Sequence, residues 1–395
     1  MKTIPPIRIL QLVPEPLPTH RPDVTALFGK YLPRHGIDST LVGKEQLNSQ
    51  ASSPSVKADL TFWMRCCKRL LTASKTTYDV IQVRDMVSIG LLALLIARIK
   101  GLPFVYWMSF LMSEARVERA SARLHKKKSF RNLAVLLKGS LERWVLYKII
   151  LPASDHIFVQ SEGMRSFVAQ QGILRDHMTP VPMAVDTELL SSDKIHPKRL
   201  PGWESTKLIA YIGTVEKMRQ LHVAIDALAM LRENRPDVRL LLIGSSPTPS
   251  DVSDLMDHAH DKGVTDGVHI TGWLPTRDAL DLLAGADVAL SYYPRSEILD
   301  TGSPTKLLEY LALAMPCVGN DNPDQVIVLQ ESGAGILCQS DVRSLCAALA
   351  KALDNHTDAV SRAATGPAYI EEKRSYRTLS AEIASVYVTQ IVNPC

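Results

Sequence analysis

Cysteine is scarce in this sequence, and what there is forms no pattern. The 395 residues include six, Cys66, Cys67, Cys317, Cys338, Cys346 and Cys395, with no C-x-x-C pair and no zinc spacing. They read as reduced thiols of a cytosolic protein, which sets aside a disulfide frame and a zinc knuckle. Long apolar runs are missing too. The longest, around Ile89–Ala97, is well short of the ~20 residues a membrane-spanning helix needs. No secretory signal is read at the start, where Lys2 is followed by Pro5, Pro6 and a short apolar run. A protein that is soluble, or that lies on a membrane surface, is expected. The formal net charge is only +4, so no general affinity for nucleic acid follows. Hydrophobic residues make up 46% of the chain, enough to bury substantial cores in two or three domains.

What is present is alternation. Ile7–Val13 reads as a buried strand, followed by a loop with four prolines between Pro14 and Pro22. Asp23 is expected to cap a helix over 24–32 that ends at His35-Gly36. Further strands are expected at 38–42, 78–83, 103–108 and 156–160, with helices at 60–71, 87–99 and 162–170. Little hairpin chemistry separates them, which argues for a parallel sheet covered on both faces. Ligands of such sheets bind beyond the carboxyl ends of the strands. The candidates there are Pro14–His20, Arg84-Asp85 and Ser109–Glu114.

One segment of this half stands apart. Arg116, Arg119, Arg123, Lys126 and Lys127 recur three or four apart, with Lys128 and Arg131 beside them. Leu133, Leu137, Leu141 and Trp144 then repeat at the same period. The pair reads as a basic stripe that docks on anionic lipid headgroups, followed by an apolar stripe. A solvated basic face followed by a core-packed helix gives the same pattern. No aromatic residues interleave with the charges, which argues against nucleic acid.

The stretch 187–206 shows no periodicity and holds Ser191, Ser192, Pro197, Pro201 and Gly202, so an interdomain linker is placed there. A second alternation follows, with strands at 207–212, 238–243, 268–271, 288–291 and 317–318. Three of these strands run into glycine, at Gly213-Thr214, Gly244-Ser245 and Gly272-Trp273, where a ligand or another backbone can come close. Lys217 and Arg219 lie just after the first such loop.

The stretch DTGSPTKLLEYLALAMP, Asp300–Pro316, organises this half. Gly302 gives a turn, Ser303 is a helix cap, and Pro304 fits the first helical position before Thr305. Leu307, Leu308, Leu311 and Ala312 then repeat at helical spacing. A helix start behind a small-residue loop is an anion site. Lys306 in the first turn makes most sense if an anion is bound there, and Glu309 can accept hydrogen bonds from sugar hydroxyls. An ordinary capped helix with a solvated Lys and Glu fits the spacing alone equally well.

With these segments together, the chain resembles the retaining glycosyltransferases of the two-Rossmann-domain (GT-B) type, family 4, also called group 1. YIGTVEKMRQLHVAIDAL, VRLLLIGSS, VHITGWLP, GADVALSYYP and SPTKLLEYLALAMPCVGND resemble successive units of the family's nucleotide domain, in order. ASDHIFVQSEGMRSFV and PVPMAVDTELL resemble the end of its acceptor domain. The resemblance implies an α/β fold of two Rossmann-like domains, their parallel sheets facing each other across a cleft. It implies an acceptor-side domain at 1–186, a linker at 187–206, a donor-binding domain at 207–365, and a terminal helical segment at 366–395 that packs back on the first domain.

Site residues follow from the same resemblance. Glu309 matches the second Glu of the family's E-x7-E motif, which contacts the donor ribose. Thr301 stands where the first should be; Asp300, one position off, and Glu297 are the carboxylates that a loop shift would bring there. Arg219 resembles the basic residue that binds the donor diphosphate, with Thr214 in place of its usual partner and Lys306 on the same anion site. Lys217, Gly213, Gly244, Ser245 and the loop Gly302, Ser303, Pro304, Thr305 line the donor side. Trp273 and Leu274 sit where the family holds the nucleobase. Ser109 occupies the position of a frequent His at the end of the fourth strand, and Glu114 is a carboxylate near it.

The implied activity is transfer from a nucleotide-diphosphate sugar to a hydroxyl of a saccharide or lipid-linked saccharide, in polysaccharide synthesis. No cofactor and no metal are implied, and no D-x-D cluster of the metal-dependent kind is present. The expected location is cytoplasmic, peripheral on the inner membrane face through the basic helix 116–131. Two further readings keep the fold: a nucleotide-sugar epimerase or hydrolase, and a catalytically silent sugar-nucleotide-binding subunit.

Overall fold

The structure, a computed structural model, describes residues 6–19, 21–45, 56–126, 129–190 and 195–393. The chain divides into two compact units, 1–183 with 376–395, and 184–375. Residues 187–190 and 195–206 fall in the second unit, and those from Tyr376 on in the first.

In chain order the first unit runs β1 (Ile7–Leu17), α1 (Pro22–Thr25), β2 (Ile37–Glu45), α2 (Val56–Thr72), β3 (Val80–Arg84) and α3 (Val87–Lys100). It continues with β4 (Phe104–Met108), α4 (Met112–Lys126), α5 (Phe130–Val145), β5 (His156–Val159), α6 (Glu162–Gln170) and β6 (Met178–Pro180). The sheet order is β2-β1-β3-β4-β5-β6, and every pairing is parallel. Strands β3, β4 and β5 are buried along their whole length, as expected when helices cover both faces.

Two local expectations are corrected here. β1 does not stop at Val13 but runs through Pro14 and Pro16, with a register shift against β2 between Leu12 and Pro16. A proline removes one ladder donor, and a bulge of this kind tolerates the loss. Asp23 caps nothing: α1 is a four-residue turn behind Arg21, and the Asp23 carboxylate is taken by Arg84. Gly36 ends the following turns in the left-handed conformation (φ 73°).

The second unit runs β7 (Lys207–Ile212), α7 (His222–Arg232), β8 (Val238–Ile243), α8 (Pro249–Asp261), β9 (Val268–Ile270), α9 (Thr276–Ala284) and β10 (Val288–Ser291). Then come α10 (Thr305–Ala312), β11 (Cys317–Asn320), α11 (Pro323–Ser332), β12 (Ile336–Cys338), α12 (Val342–Asp354), α13 (His356–Ala363) and α14 (Gly366–Lys373). The parallel order is β12-β11-β10-β7-β8-β9. Its core packs Ile209, Tyr211, Leu240, Leu242, Val288 and Leu290 against Leu228 and Leu231 of α7 and Leu345 and Leu349 of α12.

The last helix, α15 (Tyr376–Val386), and the turn after it return to the first unit. There the Tyr387 hydroxyl donates to Gln82 of β3, and its ring lies 5.4 Å from that of Phe158. No helix among the described residues is long and apolar enough to cross a membrane.

Candidate functional site

Two glycines shape the carboxyl end of the second sheet. Gly213 follows β7 with φ +135°, and Gly244 follows β8 with φ +142°. A Cβ on Gly244 would lie 2.0 Å from the Gly213 carbonyl oxygen, and one on Gly213 would lie 2.4 Å from Cε of Lys306. Both positions thus need glycine for conformation and for space. The result is a tight double turn, closed by Gly213 N–H to Ile243 O and Val215 N–H to Ser245 O, with the Lys306 stem lying on it.

Lys306 stands in the first turn of α10. Its ammonium lies 5.1 Å from the centre of the Tyr211 ring. Arg219 reaches the same region: its Nε donates to Thr214 Oγ1 at 3.4 Å, and its guanidinium lies 5.4 Å from the centre of the Tyr293 ring. Neither cation forms an ion pair among the described residues. Burial, and then the charge of Arg219, press the Lys306 ammonium down to about 8. Burial lifts the Glu309 carboxyl to about 7, against the pull of Lys306. The charges of Glu309 and Glu216 offset the repulsion from Arg219 and the cost of burial only in part, so an entering anion would relieve what remains.

The helix start adds donors. Ser303 was expected to cap α10, but its hydroxyl donates to Asp324 at 2.6 Å, and the cap residue itself makes no side-chain cap. The residue in the cap position is Pro304, in extended conformation. The first-turn amides therefore retain their capacity for an external acceptor. Asp324 also accepts from Arg374 at 2.8 Å, so a buried ion pair anchors the loop.

The remaining expected residues separate. Trp273, 63% exposed, and Leu274 follow Gly272 at the end of the adjacent strand β9. Lys217 faces outward, 84% exposed and 3.9 Å from Asp254, on a different cavity of about 170 Å³ shared with His222 and His258. Asp300 is held bidentate by Arg295 at 2.7 and 2.9 Å, and Arg295 also takes Asp321. Thr301 is buried and donates to Ile298 O at 2.7 Å. Ser109 belongs to the first unit, where its N–H and hydroxyl both donate to Asp85. Glu114 is buried in the same unit, beside the Tyr147 hydroxyl.

Of the basic stripe, Lys127 and Lys128 lie outside the described residues, as does His20 of the Pro14–His20 loop. Arg116 pairs with Glu142 of α5, and Arg119 donates to the Ala115 carbonyl at 2.9 Å.

One residue was missed. Tyr293 is fixed by Asn320, which accepts from its N–H and donates to its carbonyl, both at 2.7 Å. Its ring supports Arg219, and its hydroxyl lies 3.0 Å from where a Gly302 Cβ would be. The signal available was the pair Tyr292-Tyr293 after a buried strand, where strand alternation turns one ring into the core and the other toward the site.

Comparison with known proteins bears on the fold. Residues 206–355 match the family model described as Glycosyl transferases group 1. The UDP complex of HepE from Anabaena is similar at 15% identity and TM-score 0.66, over 97% of this chain and all of that one. Sucrose-phosphate synthase from Thermosynechococcus elongatus gives 13% identity and TM-score 0.68 over 97% and 98%. WaaG, a glycosyltransferase involved in lipopolysaccharide biosynthesis, gives 14% and 0.62 over 96% and 99%. No curated protein matches the sequence. The fold is the GT-B fold of two Rossmann-like domains. The segment that carries the group 1 glycosyltransferase pattern is most of the second unit, and fold and pattern together support glycosyl transfer.

Proposed function

We propose that the protein is a retaining glycosyltransferase of family 4 that moves a sugar from a nucleotide diphosphate to an acceptor hydroxyl, without a metal. The observation that carries this reading is the pair Lys306 and Arg219, neither in an ion pair among the described residues, beside the first turn of α10, whose cap residue Pro304 supplies no side-chain cap. As the glycosidic bond to the diphosphate breaks, negative charge grows on the leaving phosphate. Lys306, Arg219 and the amides of Thr305 and its neighbours meet that charge where it develops, and such preorganised groups are often the largest catalytic term. Gly213, Thr214, Gly244 and Ser245 let the donor approach the backbone. Glu309 accepts from the ribose hydroxyls, and Trp273 with Leu274 borders the base.

HepE binds UDP and UDP-glucose, which favours a nucleotide-sugar donor here as well. The acceptor is read as a lipid-linked saccharide of polysaccharide synthesis, met at an anionic cytoplasmic membrane face to which the basic residues of 116–131 are attracted. Ser109, Asp85 and Glu114 form the polar group on the acceptor-side unit.

A second reading has its own observation. Asp300 is paired with Arg295 and Thr301 is tied to its own turn, so neither supplies a free carboxylate at the sugar end. A subunit that binds a sugar nucleotide without transferring it fits that arrangement. Nucleotide release from UDP-, GDP- and ADP-sugars, with and without a bacterial membrane extract, separates the two. Release that needs the extract and is lost in Glu309→Ala supports transfer. Release without acceptor points to hydrolysis or epimerisation, and binding with no release to the silent subunit.

A further inference from the structure

The sheet of the first unit steps in one direction from β2 over β1 to β3, then β4, then β5. Right-handed crossovers place the connecting helices α2, α3 and α5 on the same face of that sheet. They form one layer, in which α3 packs against both α2 and α5. A layer like this should turn its polar side outward. Here the outer side carries large apolar residues on all three helices, among basic ones. On α2, Leu60, Met64 and Leu71 are exposed, Leu71 by 66%. On α3 the exposed large apolar residues are Leu91, Leu95 and Ile99, one helical face, with Ile99 75% exposed. On α5 they are Leu137, Leu141 and Trp144, all more than half exposed. An apolar surface running over three neighbouring helices far exceeds scattered exposed leucines and marks a site of contact.

The charges around it name the occupant. The three helices carry nine basic residues, four on α2, two on α3 and three on α5, against two acids. Both acids are paired, Asp59 with Lys44 and Glu142 with Arg116. Lys68, Arg69, Arg131, Lys138 and Arg143 form no ion pair among the described residues. Two copies of such a face would repel each other, whereas an anionic lipid surface complements it. Exposed Trp63 and Trp144 suit the headgroup level, where indole rings partition well.

We propose that the outer face of the α2–α3–α5 layer lies in the interface of an anionic bilayer, with its apolar side chains inserted and its basic residues among the headgroups. Helix α4 adds attraction, but the apolar contact is made by these three helices. This deepens the reading of a membrane-borne acceptor and rests on it.

The test is flotation with vesicles of neutral phosphatidylcholine, alone or mixed with an anionic phospholipid. The wild-type chain is expected to float with the mixed vesicles, and high salt to weaken that only in part, because inserted side chains are not screened. Leu95→Glu and Leu137→Glu should each lower the bound fraction about tenfold or more, since a charge must then be buried in the apolar interface. Both positions are exposed, so unchanged thermal unfolding of the variants shows that they fold. Arg119→Ala on α4 should lower the bound fraction much less, because it removes one attractive charge and no inserted side chain.

Variants that float as the wild type does would overturn the proposal. So would a dimer in light scattering that Leu95→Glu dissolves, because the face would then be an interface between copies. Calorimetric binding of UDP, GDP or ADP in the same preparations separates the two levels of argument. A protein that binds nucleotide and does not float refutes only the membrane surface. One that floats and binds none refutes only the transferase reading.

Discussion

At the scale of single residues, Lys306 and Glu309 set a pH window. In the proposed site a protonated Lys306 meets the diphosphate and loses that proton near pH 8, while an ionised Glu309 accepts the ribose hydroxyls best and gains a proton near pH 7. Nucleoside diphosphate binding should therefore be tightest between these values and weaken on both sides. Calorimetry across pH 6–9.5 should show Glu309→Gln losing the acidic limb and Lys306→Met the alkaline one; a flat profile in the wild type would refute both assignments. The signs for the empty protein are the reverse of the usual stabilising pair. A lysine whose folded pKa is lowered binds fewer protons folded than unfolded, so this group's contribution to stability rises with pH between about 8 and its ordinary value. A carboxyl whose folded pKa is raised binds more protons folded, so its contribution falls as pH rises toward about 7. Tyr293 acts on Arg219 through its ring. A cation over an aromatic face is worth ~0.5–2 kcal/mol, so Tyr293→Ala should raise the dissociation constant of the nucleotide by about 3- to 30-fold and Tyr293→Phe by much less. Equal loss in both variants would assign the effect to the hydroxyl beside Gly302 instead. Neither the ring's partner nor the Arg295–Asp300 pair was legible in the sequence. Both depend on which loops the sheet brings side by side, and no local spacing encodes that.

At the scale of elements, the start of α10 depends on residues far along the chain. Ser303 turns away from the helix because Asp324, at the start of α11, accepts its hydroxyl while pairing with Arg374. Both charged side chains are buried, so removing one partner leaves the other uncompensated, which typically costs ~3–5 kcal/mol. Arg374→Met should accordingly lower the urea midpoint of the second unit sharply. Arg374→Met with Asp324→Asn should recover part of the loss, and a double variant no better than the single would show that packing, not charge, is at stake. The sequence signal S-P-T-K did locate the helix to within a residue, because Pro, Thr and the leucine spacing act locally. It misassigned the cap because Ser303 had a better acceptor 21 residues away. The same distinction explains the first unit. Strands β3 to β5 were legible as short apolar runs, whereas the role of Asp23 was not, because its partner Arg84 is on another element.

At the scale of the whole molecule, alternation of strand and helix made the two parallel sheets legible, and the order of five motifs made the second one specific. The points where the chain passes between units were less legible. Val185 N–H donates to Arg374 O and Val185 bridges Ser375, so the two passages lie side by side within the second unit. A stretch without periodicity, such as 187–206, looks like a linker even when ion pairs such as Lys198–Asp281 and Arg199–Asp287 bind it to a domain. The final segment carries the opposite consequence. Leu379, Ile383, Tyr387 and Ile391 are buried in the first unit, 190 or more residues after its last strand. Burying a large apolar side chain contributes ~1.5–3 kcal/mol, so the four together approach the ~5–15 kcal/mol that stabilises a typical domain. A chain ending at Ser375 should thus lose the cooperative unfolding of the first unit while the second still unfolds cooperatively. The truncated chain should also still bind nucleoside diphosphate, since Gly213, Arg219, Lys306 and Glu309 all lie in the second unit. Scanning calorimetry with and without nucleotide reads both outcomes. Loss of nucleotide binding together with the first transition would mean that the donor residues need the other unit to hold their arrangement.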